Sequence, residues 1–372
     1  MKIAILSTAY PLRGGIAHFI GLLYHQLKKN HTVKVYTFKR QYPAILFPGK
    51  SQLENEETSE AIPTVLAIDS INPLNWIKIG KKLSEEFYDV LIFKYWMPFF
   101  APCFGTISKI VKKNNKTKIM VICDNIIPHE KKPFDNLLTK YFFNNVHYFI
   151  VLSENVRKDL LSLYPKAKYN LLPHPVYSNF GDPVEKQAAK SFLKIDSEKL
   201  ILFFGFIRDY KGLDTLLLAL SKLKNINVKL LVAGEFYSNK DKYLKIIHDN
   251  NLNDSVILKT DFIPTKEVKY YFSACDAVIL PYKSATQSGI VQIAVNFRKP
   301  VIATNVGGLG EVIINNETGF IVEKENPQAL ANAINKFYSE NNESKFSKNM
   351  SFAADKYSWQ NFTNGLLDLI NS

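Results

Sequence analysis

Residues 203–223 read FFGFIRDYKGLDTLLLALSKL, which predicts a buried strand, a short loop and an apolar helix in that order. Arg208 and Lys211 stand in the loop, and Gly212 follows them directly. The start of a helix has unpaired N–H groups and a partial positive charge, so two cations at the same place indicate a site for an anion. An ordinary strand–helix corner with two solvated cations is the alternative interpretation.

Predicted strands and helices alternate through both halves of the 372-residue chain. Such alternation predicts parallel sheets with crossover helices, and a chain of this length suits two domains. The segment 171–183, LLPHPVYSNFGDP, has three prolines and no hydrophobic period, which indicates a linker. We therefore predict an α/β protein of two doubly wound, Rossmann-like domains that face a central cleft, with boundaries 1–173 and 174–355. In such sheets ligands bind beyond the carboxyl ends of the strands.

Composition and charge limit the classes of function. Hydrophobic residues make up 47% of the chain and charged residues 22%, and no apolar run approaches the ~20 residues of a membrane-spanning helix. The three cysteines are too few and too widely spaced for a disulfide framework or a metal cluster. The net charge is +13, but the lysines lack the interleaved aromatic residues of a base-stacking surface. We expect a cytoplasmic protein without a nucleic-acid partner.

The densest basic stretch is Ile107–Lys118, ISKIVKKNNKTK. Ile107, Ile110 and Val111 are at helical spacing, and lysines occupy much of the rest. A helix of this kind can lie on an anionic membrane surface, which would place the protein at the inner face of the membrane. A solvated helix face is the alternative interpretation.

Two further loops place glycine or small polar residues before a helix. The first, TAYPLRGG, ends with Gly14 and Gly15, where the backbone can approach a ligand closely; a plain turn is the alternative. The second precedes an apolar helix and is either an anion site or an ordinary cap by its serine. Its residues are Thr286, Gln287, Ser288 and Gly289.

One more loop, in the segment 121–132 (VICDNIIPHEKK), follows a predicted strand and carries polar and ionisable side chains. They are Asp124, Asn125, His129 and Glu130. The adjacent histidine and glutamate suit an acid–base pair or a substrate clamp, whereas a lone surface histidine is the alternative.

Taken in order, these loops resemble those of the retaining glycosyltransferases of family 4, which have the GT-B architecture. The resemblance covers essentially the whole chain and is strongest from Phe203 to Val322, in the segments FFGFIRDYKGLDTLLLAL, LLVAGE, CDAVILPY and KPVIATNVGGLGEVIINNETGFIV. It implies a hexosyltransferase of polysaccharide biosynthesis that moves a sugar, with retention, from a nucleotide-diphosphate sugar to a glycan or lipid-linked acceptor. The nucleotide sugar is a co-substrate, and no cofactor is implied. A last helix, at about 356–372, would cross back to the N-terminal domain.

The resemblance also implies a role for each loop. Arg208 and Lys211 would bind the donor diphosphate and, with His129, act in catalysis. Phe262 and Ile263 would contact the nucleobase, and main-chain N–H groups of Gly289 and Ile290 the distal phosphate. The other donor-binding positions would be Gly14, Gly15, Thr286, Gln287 and Ser288. The sugar side or acceptor side would be formed by Asp124, Asn125 and Glu130. Glu311 matches a frequent acidic position, at which a structural cap is an equal alternative.

Two features depart from the family pattern. The family usually carries a Glu-x7-Glu pair, whose places are taken here by Ala285 and Ile293, and Asp124 stands where many members have a histidine, a role that His129 is predicted to share. The chain also lacks an Asp-x-Asp triplet to hold a divalent ion, so we predict a metal-independent reaction in which fixed cations stabilise the leaving phosphate. The missing glutamates are the main support for one alternative, a catalytically silent nucleotide- or glycan-binding protein. A sugar-nucleotide epimerase of the same architecture is a second alternative.

Overall fold

The computed structural model describes residues 1–43, 52–53, 61–127, 133–223, 226–237, 239–286 and 288–371. It consists of two compact units, each with its own sheet. The first unit comprises Met1–Pro175 and Tyr357–Ser372, and the second comprises Val176–Lys356. The chain therefore leaves the first unit after Pro175 and returns to it at Tyr357. The boundary predicted from the sequence lies two residues before the first of these crossings.

The first unit has a seven-stranded parallel sheet. Its strands are β1 (Lys2–Leu6), β2 (Thr32–Arg40), β3 (Thr64–Asp69), β4 (Val90–Tyr95), β5 (Lys118–Cys123), β6 (Tyr148–Val151) and β7 (Tyr169–Leu171). They are ordered β3-β2-β1-β4-β5-β6-β7 across the sheet. The helices between them are α1 (Gly15–Lys28), α2 (Pro73–Glu85), α3 (Ala101–Lys112), α4 (Asp135–Phe143) and α5 (Glu154–Leu163).

The second unit has a six-stranded parallel sheet. Its strands are β8 (Lys199–Phe204), β9 (Val228–Ala233), β10 (Val256–Lys259), β11 (Ala277–Leu280), β12 (Val301–Thr304) and β13 (Gly319–Val322). They are ordered β10-β9-β8-β11-β12-β13. The helices are α6 (Lys186–Leu193), α7 (Leu213–Leu220), α8 (Lys240–Asp249), α9 (Val268–Ala274), α10 (Gly289–Asn296), α11 (Leu309–Val312), α12 (Pro327–Ser339) and α13 (Asn342–Lys356).

The central strands are apolar runs because helices cover both faces of a parallel sheet. In β4, VLIFKY, every residue is buried, and Lys94 is its one charged side chain. Around it the core is aromatic: the rings of Phe93, Phe104 and Phe142 pack with centroids 5.1, 5.2 and 5.6 Å apart. Burying a side chain of this size contributes about 1.5–3 kcal/mol, so this cluster is a main source of the first unit's stability.

The strand order reverses at one point in each sheet. The reversal lies between β1 and β4 in the first unit and between β8 and β11 in the second. At such a point the connections on either side leave in opposite directions and open a crevice beyond the carboxyl ends of the strands. The loops that follow these four strands are therefore where a ligand is expected.

The last helix, α14 (Trp359–Asn371), packs on the first unit. The ring of Phe19 in α1 lies 5.0 Å from the ring of Trp359 and 5.7 Å from that of Phe362. At the sheet, Asn170 Nδ2 donates to the carbonyl oxygen of Gly365 over 2.8 Å. The returning segment is thus anchored by aromatic packing on α1 and by a hydrogen bond beside β7.

The basic stretch Ile107–Lys118 differs from the prediction. The helix ends at Lys112, because Asn115 takes a left-handed turn (φ 51°) before β5. Ile107 and Val111 are fully buried, and the side chain of Ile110 packs against Gly80 in α2. The core therefore uses the apolar face that the membrane interpretation requires. The exposed residues of the stretch are Lys109, Lys113, Asn115, Lys116 and Lys118. Among the described helices, none is long and apolar enough to cross a membrane.

Candidate functional site

The two loops of the second unit that the sequence singles out follow neighbouring strands. Arg208 and Lys211 come after β8, and Ser288 and Gly289 come after β11, which pairs with β8. Parallel strands end at the same edge of a sheet, so both loops lie where the strand order reverses. The structure thus brings the two cations and the start of α10 to one edge.

Lys211 is buried over the end of β8. It closes a 3₁₀ turn, Asp209–Lys211, and only 9% of the residue is exposed. Gly205 has φ +94°, and a Cβ on it would lie 3.1 Å from Lys211 Nζ and 3.3 Å from Ile290 Cδ1. The ammonium group therefore lies against the glycine backbone and beside the first turn of α10, in a space that a larger residue at position 205 would narrow.

Gly212 holds the Lys211 loop against the loop that follows β11. Its φ is +71°, and a Cβ there would lie only 1.9 Å from the carbonyl oxygen of Pro281. The backbones are joined next to this contact, since the N–H of Lys283 donates to the carbonyl oxygen of Tyr210 over 2.7 Å. The position of Lys211 is therefore fixed by backbone packing that only glycine permits.

Neither cation has an acidic partner in the part of the chain that the structure describes. Arg208 is exposed, and its Cζ lies 5.2 Å from the centre of the Tyr237 ring. Burial, and secondarily the charge of Arg208, lowers the pKa of Lys211 to about 7. Within the described residues, neither cation forms an ion pair. Both are therefore available to an anion from outside the chain.

The nearby carboxylates are bound elsewhere. Asp214 accepts from Lys283 Nζ over 2.7 Å and from Lys242 Nζ over 3.0 Å. Asp209 accepts from the hydroxyl of Tyr243 over 3.0 Å. Because these acids have their own donors, they do not neutralise Arg208 and Lys211. A forked guanidinium and a compact ammonium beside a helix start suit a diphosphate.

The start of α10 is capped by its own serine. Ser288 Oγ accepts from the N–H of Ile290 over 3.3 Å, and the Cα of Gly289 faces the ring of Tyr177, which a Cβ would approach to 2.9 Å. The carbonyl oxygen of Thr286 accepts from the N–H of Gly308 over 2.9 Å. Ser288 therefore caps α10, as the alternative interpretation has it. A phosphate that binds the N–H of Ile290 would have to displace the long hydrogen bond from this N–H to Ser288 Oγ. Gln287 lies outside the described residues.

The remaining predicted donor residues lie on the same edge. Phe262 and Ile263 follow β10, two strands from β8, and both are half-buried. Glu311 is exposed in the short helix α11, which follows β12. The places expected for a glutamate pair are held by Ala285 and Ile293, of which Ile293 is buried at 4% exposure. No described carboxylate of α10 is therefore available for a donor sugar or ribose.

In the first unit, Gly14 and Gly15 begin α1 after β1. Gly14 has φ +111° and no side-chain cap, and a Cβ built on it meets nothing within 4 Å. The first turn of α1 also lacks an acidic residue. The backbone is thus open at Gly14, as the close approach of a ligand requires.

Asp124 forms an ion pair that is not evident from the sequence. In the β4–β5 register, Lys94 is opposite Ile122, so Asp124 is two residues further along on the same face. Lys94 Nζ lies 2.5 Å from Asp124 Oδ1 and 3.8 Å from the centre of the Phe19 ring. The half-buried Asn125 follows, whereas His129 and Glu130 lie outside the described residues. The available signal for this pair is a single lysine in an otherwise apolar strand.

His174 borders the same cluster. Its ring lies 5.2 Å from that of Phe19, and Nδ1 is 2.7 Å from the carbonyl oxygen of Pro175. Burial, helped by the charge of Lys94, lowers the pKa of His174 to about 4. The imidazole is therefore neutral near pH 7 and leaves Lys94 as the cation of this cluster.

Residues 184–357 match the family described as Glycosyl transferases group 1. This segment is similar to the domain of that family. This domain spans nearly all of the second unit and contains both cations and α10. The finer assignment to the retaining enzymes of family 4 stays a prediction.

Relatives of similar length are glycosyltransferases by description. The chain is 25% identical to an uncharacterized glycosyltransferase of Methanocaldococcus jannaschii, over 98% of this chain and 97% of the relative. A second one from that organism is 26% identical over 97% and 95%. A D-inositol 3-phosphate glycosyltransferase of Pseudarthrobacter chlorophenolicus is 30% identical over 145 residues, which are 38% of this chain and 34% of that protein.

Solved structures of other proteins share the fold. HepE of Anabaena in complex with UDP matches with a TM-score of 0.80 at 16% identity, over 100% of both chains. Sucrose-phosphate synthase of Thermosynechococcus elongatus matches with a TM-score of 0.73 at 18% identity, over 99% and 98%. The predicted fold class of two parallel-sheet, Rossmann-like domains of the GT-B type is thereby confirmed.

Proposed function

We propose that the protein is a hexosyltransferase that moves a sugar from a nucleotide-diphosphate sugar to a hydroxyl of a glycan or lipid-linked acceptor, with retention at the anomeric carbon. The glycosyl transferases group 1 domain and the full-length relatives support the class of reaction. The observation that carries the proposal is the buried ammonium of Lys211, beside Arg208 and the start of α10. A buried charge without a partner is unfavourable, so the chain is built to receive an anion here.

The geometry suits a diphosphate better than a single carboxylate. Arg208 can bind two oxygens with its fork, and Lys211 adds a point charge three residues further on. The start of α10 contributes main-chain N–H groups next to the ammonium. We assign the nucleobase to the loop of Phe262 and Ile263, supported by its position on the same carboxyl edge.

In the proposed reaction, the bond between the anomeric carbon and the phosphate oxygen breaks, and the nucleoside diphosphate leaves with the electron pair. The acceptor hydroxyl forms its bond to carbon on the same face, and its proton passes to the leaving phosphate oxygen. Lys211 and Arg208 stabilise the negative charge that develops on that phosphate. Preorganised groups of this kind are each worth ~10²–10³ in rate. We propose that these fixed cations take the place of a divalent ion.

The test is release of nucleoside diphosphate from a panel of UDP-, GDP- and ADP-sugars, with and without glycan acceptors. For the wild type we expect one donor to be turned over. Arg208→Ala should lower its turnover ~10²–10³-fold with unchanged thermal unfolding. The exposed Lys222 on the same unit is a matched control, and Lys222→Ala should keep full turnover. Near-normal turnover by Arg208→Ala would contradict the assignment.

A nucleotide-binding protein without transfer activity is the second candidate. The buried Ile293 favours it, because no carboxylate replaces the missing pair on α10. Such a protein would bind a nucleotide sugar through Arg208 and Lys211 but release no nucleoside diphosphate with any acceptor. An epimerase would instead convert the donor itself, which chromatography of the sugar nucleotides would reveal in the same assay.

A further inference from the structure

A cavity of about 680 Å³ opens at the amino edge of the first unit's sheet, beside the C-terminal ends of α4 and α5. Its lining includes Val146 and His147, which precede β6, and Lys166 and Lys168, which precede β7. The loops of the candidate site follow the carboxyl ends of the strands, at the opposite edge. Small-molecule sites have volumes of about 300–1,000 Å³, so this cavity is large enough for a ligand of its own.

The walls of the cavity are largely apolar and aromatic. The buried rings of Phe143 and Phe149 have centroids 5.1 Å apart, and the Tyr164 ring lies 6.1 Å from that of Phe143. Tyr164, Leu163 and Ala167 are half-buried, so apolar surface remains in contact with water. No phenylalanine, tyrosine, leucine or valine of the described lining is exposed. The walls therefore form a recess that a molecule can enter, whereas a membrane surface takes up protruding apolar side chains.

His147 offers an N–H donor whose place is fixed by the backbone. Its main-chain N–H donates to the carbonyl oxygen of Ile119 over 2.8 Å, and the N–H of Ile119 donates to His147 Nδ1 over 2.9 Å. Because Nδ1 accepts, the neutral ring carries its proton on Nε2. Burial, helped by the charges of Lys112 and Lys118, lowers the pKa of His147 and favours this neutral form. The Nε2–H group has no acceptor among the described residues.

Further donors without a partner surround the cavity. Asn144 Oδ1 accepts from the Tyr164 hydroxyl over 2.6 Å, and the amide nitrogen of Asn144 has no described partner. Lys166 and Lys168 are exposed, and their ammonium groups make no hydrogen bond or ion pair with any described residue. None of the described lining residues is acidic. The cavity therefore presents hydrogen-bond donors and positive charge beside apolar walls.

We propose that this cavity binds a small soluble molecule in which an anionic group, such as a phosphate ester, is joined to an apolar or aromatic body. The body would lie against the aromatic walls, and the anion would accept from His147 Nε2–H and from Lys166 or Lys168. The cavity lies within the first unit, so the inference does not depend on the proposed transfer reaction.

The test measures binding of naphthyl phosphate to the full chain by calorimetry. Naphthol lacks the anion and inorganic phosphate lacks the aromatic body, so each compound tests one feature. We expect one molecule of naphthyl phosphate to bind per chain with a Kd below about 1 mM, and the two fragments to bind at least about tenfold more weakly. Equal affinity for naphthol and naphthyl phosphate would overturn the inference, and so would the absence of saturable naphthyl phosphate binding.

Variants locate the bound molecule on the chain. The double variant Lys166→Gln, Lys168→Gln should weaken naphthyl phosphate binding about tenfold and leave naphthol binding unchanged, because it removes charge alone. Ala167→Phe should abolish binding of both compounds by filling the cavity. Lys158→Gln is the matched control, because Lys158 is an exposed lysine of α5 outside the cavity. It should bind naphthyl phosphate as the wild type does.

The double variant changes only exposed side chains, so it decides the question even if thermal unfolding shows that Ala167→Phe is less stable. Wild-type affinity in the double variant would place naphthyl phosphate elsewhere and overturn the inference. An equal loss in Lys158→Gln would show attraction to the general positive charge of the chain, with the same consequence.

Vesicles distinguish a soluble ligand from a lipid. Vesicles of phosphatidylcholine with phosphatidylglycerol should leave the Kd of naphthyl phosphate unchanged, because the recess admits a molecule and not a bilayer surface. Displacement of naphthyl phosphate by these vesicles, but not by vesicles of phosphatidylcholine alone, would assign the cavity to an anionic lipid and overturn the assignment to a soluble ligand.

Discussion

Each unit buries a lysine at the carboxyl edge of its sheet, and the two lysines differ in what they contact. Lys94 in the first unit meets the Asp124 carboxylate and the Phe19 ring. Lys211 in the second unit has Arg208 as its charged neighbour, and burial with this second cation lowers its pKa to about 7. Burial of a cation therefore does not by itself mark a ligand site. Lys94 has its counter-charge in Asp124, whereas no described residue of the chain gives Lys211 one.

The largest expected effect concerns the paired lysine. Asp124→Asn leaves the Lys94 ammonium buried without its counter-charge, which should lower the free energy of unfolding by about 3–5 kcal/mol. Lys94→Met removes the inner charge instead and should be neutral or stabilising. Denaturant titration of both variants measures the difference. Equal destabilisation by the two would mean that the pair does not behave as a buried charge with its partner.

Lys211 has no counter-charge among the described residues, so we expect its removal to stabilise the fold. Lys211→Met should raise the unfolding temperature by several degrees and lower transfer ~10²–10³-fold, because the ammonium is unfavourable in the fold and needed by the leaving phosphate. The folded pKa lies below the ordinary 10.5, so the folded chain holds fewer protons than the unfolded chain between about pH 7 and 10.5. The stability gained by the variant should therefore be full below pH 7 and fade as the pH rises. A destabilised variant would contradict this account.

Alanine at Gly212 and at Gly14 tests how much each unit's stability depends on the glycine backbone at the carboxyl edge of its sheet. Gly212→Ala would place a Cβ 1.9 Å from the Pro281 carbonyl oxygen at φ +71°, so we expect a loss of about 1–3 kcal/mol and a displaced Lys211. Gly14→Ala has open space around the new Cβ, and only the strain of a backbone conformation nearly confined to glycine remains (φ 111°, ψ 172°), so we expect a smaller loss, at the low end of about 1–3 kcal/mol. Thermal unfolding ranks the two, and equal losses would show that the contact with Pro281 is easily relieved.

The smallest effect is the pH dependence of donor binding. A bound diphosphate favours the charged form of Lys211, whose pKa in the unbound protein is about 7. Donor affinity should be constant below pH 7 and fall up to about tenfold per pH unit above it. A nucleotide-diphosphate sugar has no titrating phosphate in this range, so calorimetry from pH 6 to pH 9 isolates the lysine. Lys211→Met should bind weakly with a flat profile, and a flat wild-type profile would place the donor elsewhere.

The sequence predicts the sheets well because buried parallel strands are continuous apolar runs. Lys118–Cys123, Val228–Ala233 and Ala277–Leu280, for example, are largely apolar in the sequence and are strands in the structure. Local turn chemistry also predicts that α10 begins after Ser288. Short amphipathic elements are harder, and α6 after the proline-rich linker has no clear signal in the sequence.

The residues at the carboxyl edges of the two sheets are only partly predictable from the sequence. Arg208 and Lys211 are neighbours along the chain, so the shared role proposed for them follows from a local pattern. Lys94 and Asp124 are 30 residues apart, and their contact depends on the register of β4 against β5. The basic segment 107–118 shows the same limit, since its charges suggest an exposed helix and only packing shows that Ile107 and Val111 are buried.

The ring of Phe19 lies at the point where the chain leaves the first unit and returns to it. Its ring contacts His174, just before the chain leaves the first unit, and Trp359, just after the chain returns. The second unit is therefore an uninterrupted insertion between two positions that meet at one aromatic ring. If a short peptide joins residues 175 and 357, we expect the first unit to fold as a separate protein. Segment 176–356 should be replaceable as a whole. Grafting the same segment of a relative onto these ends would keep the Lys94 cluster and change only the unit that contains Arg208 and Lys211.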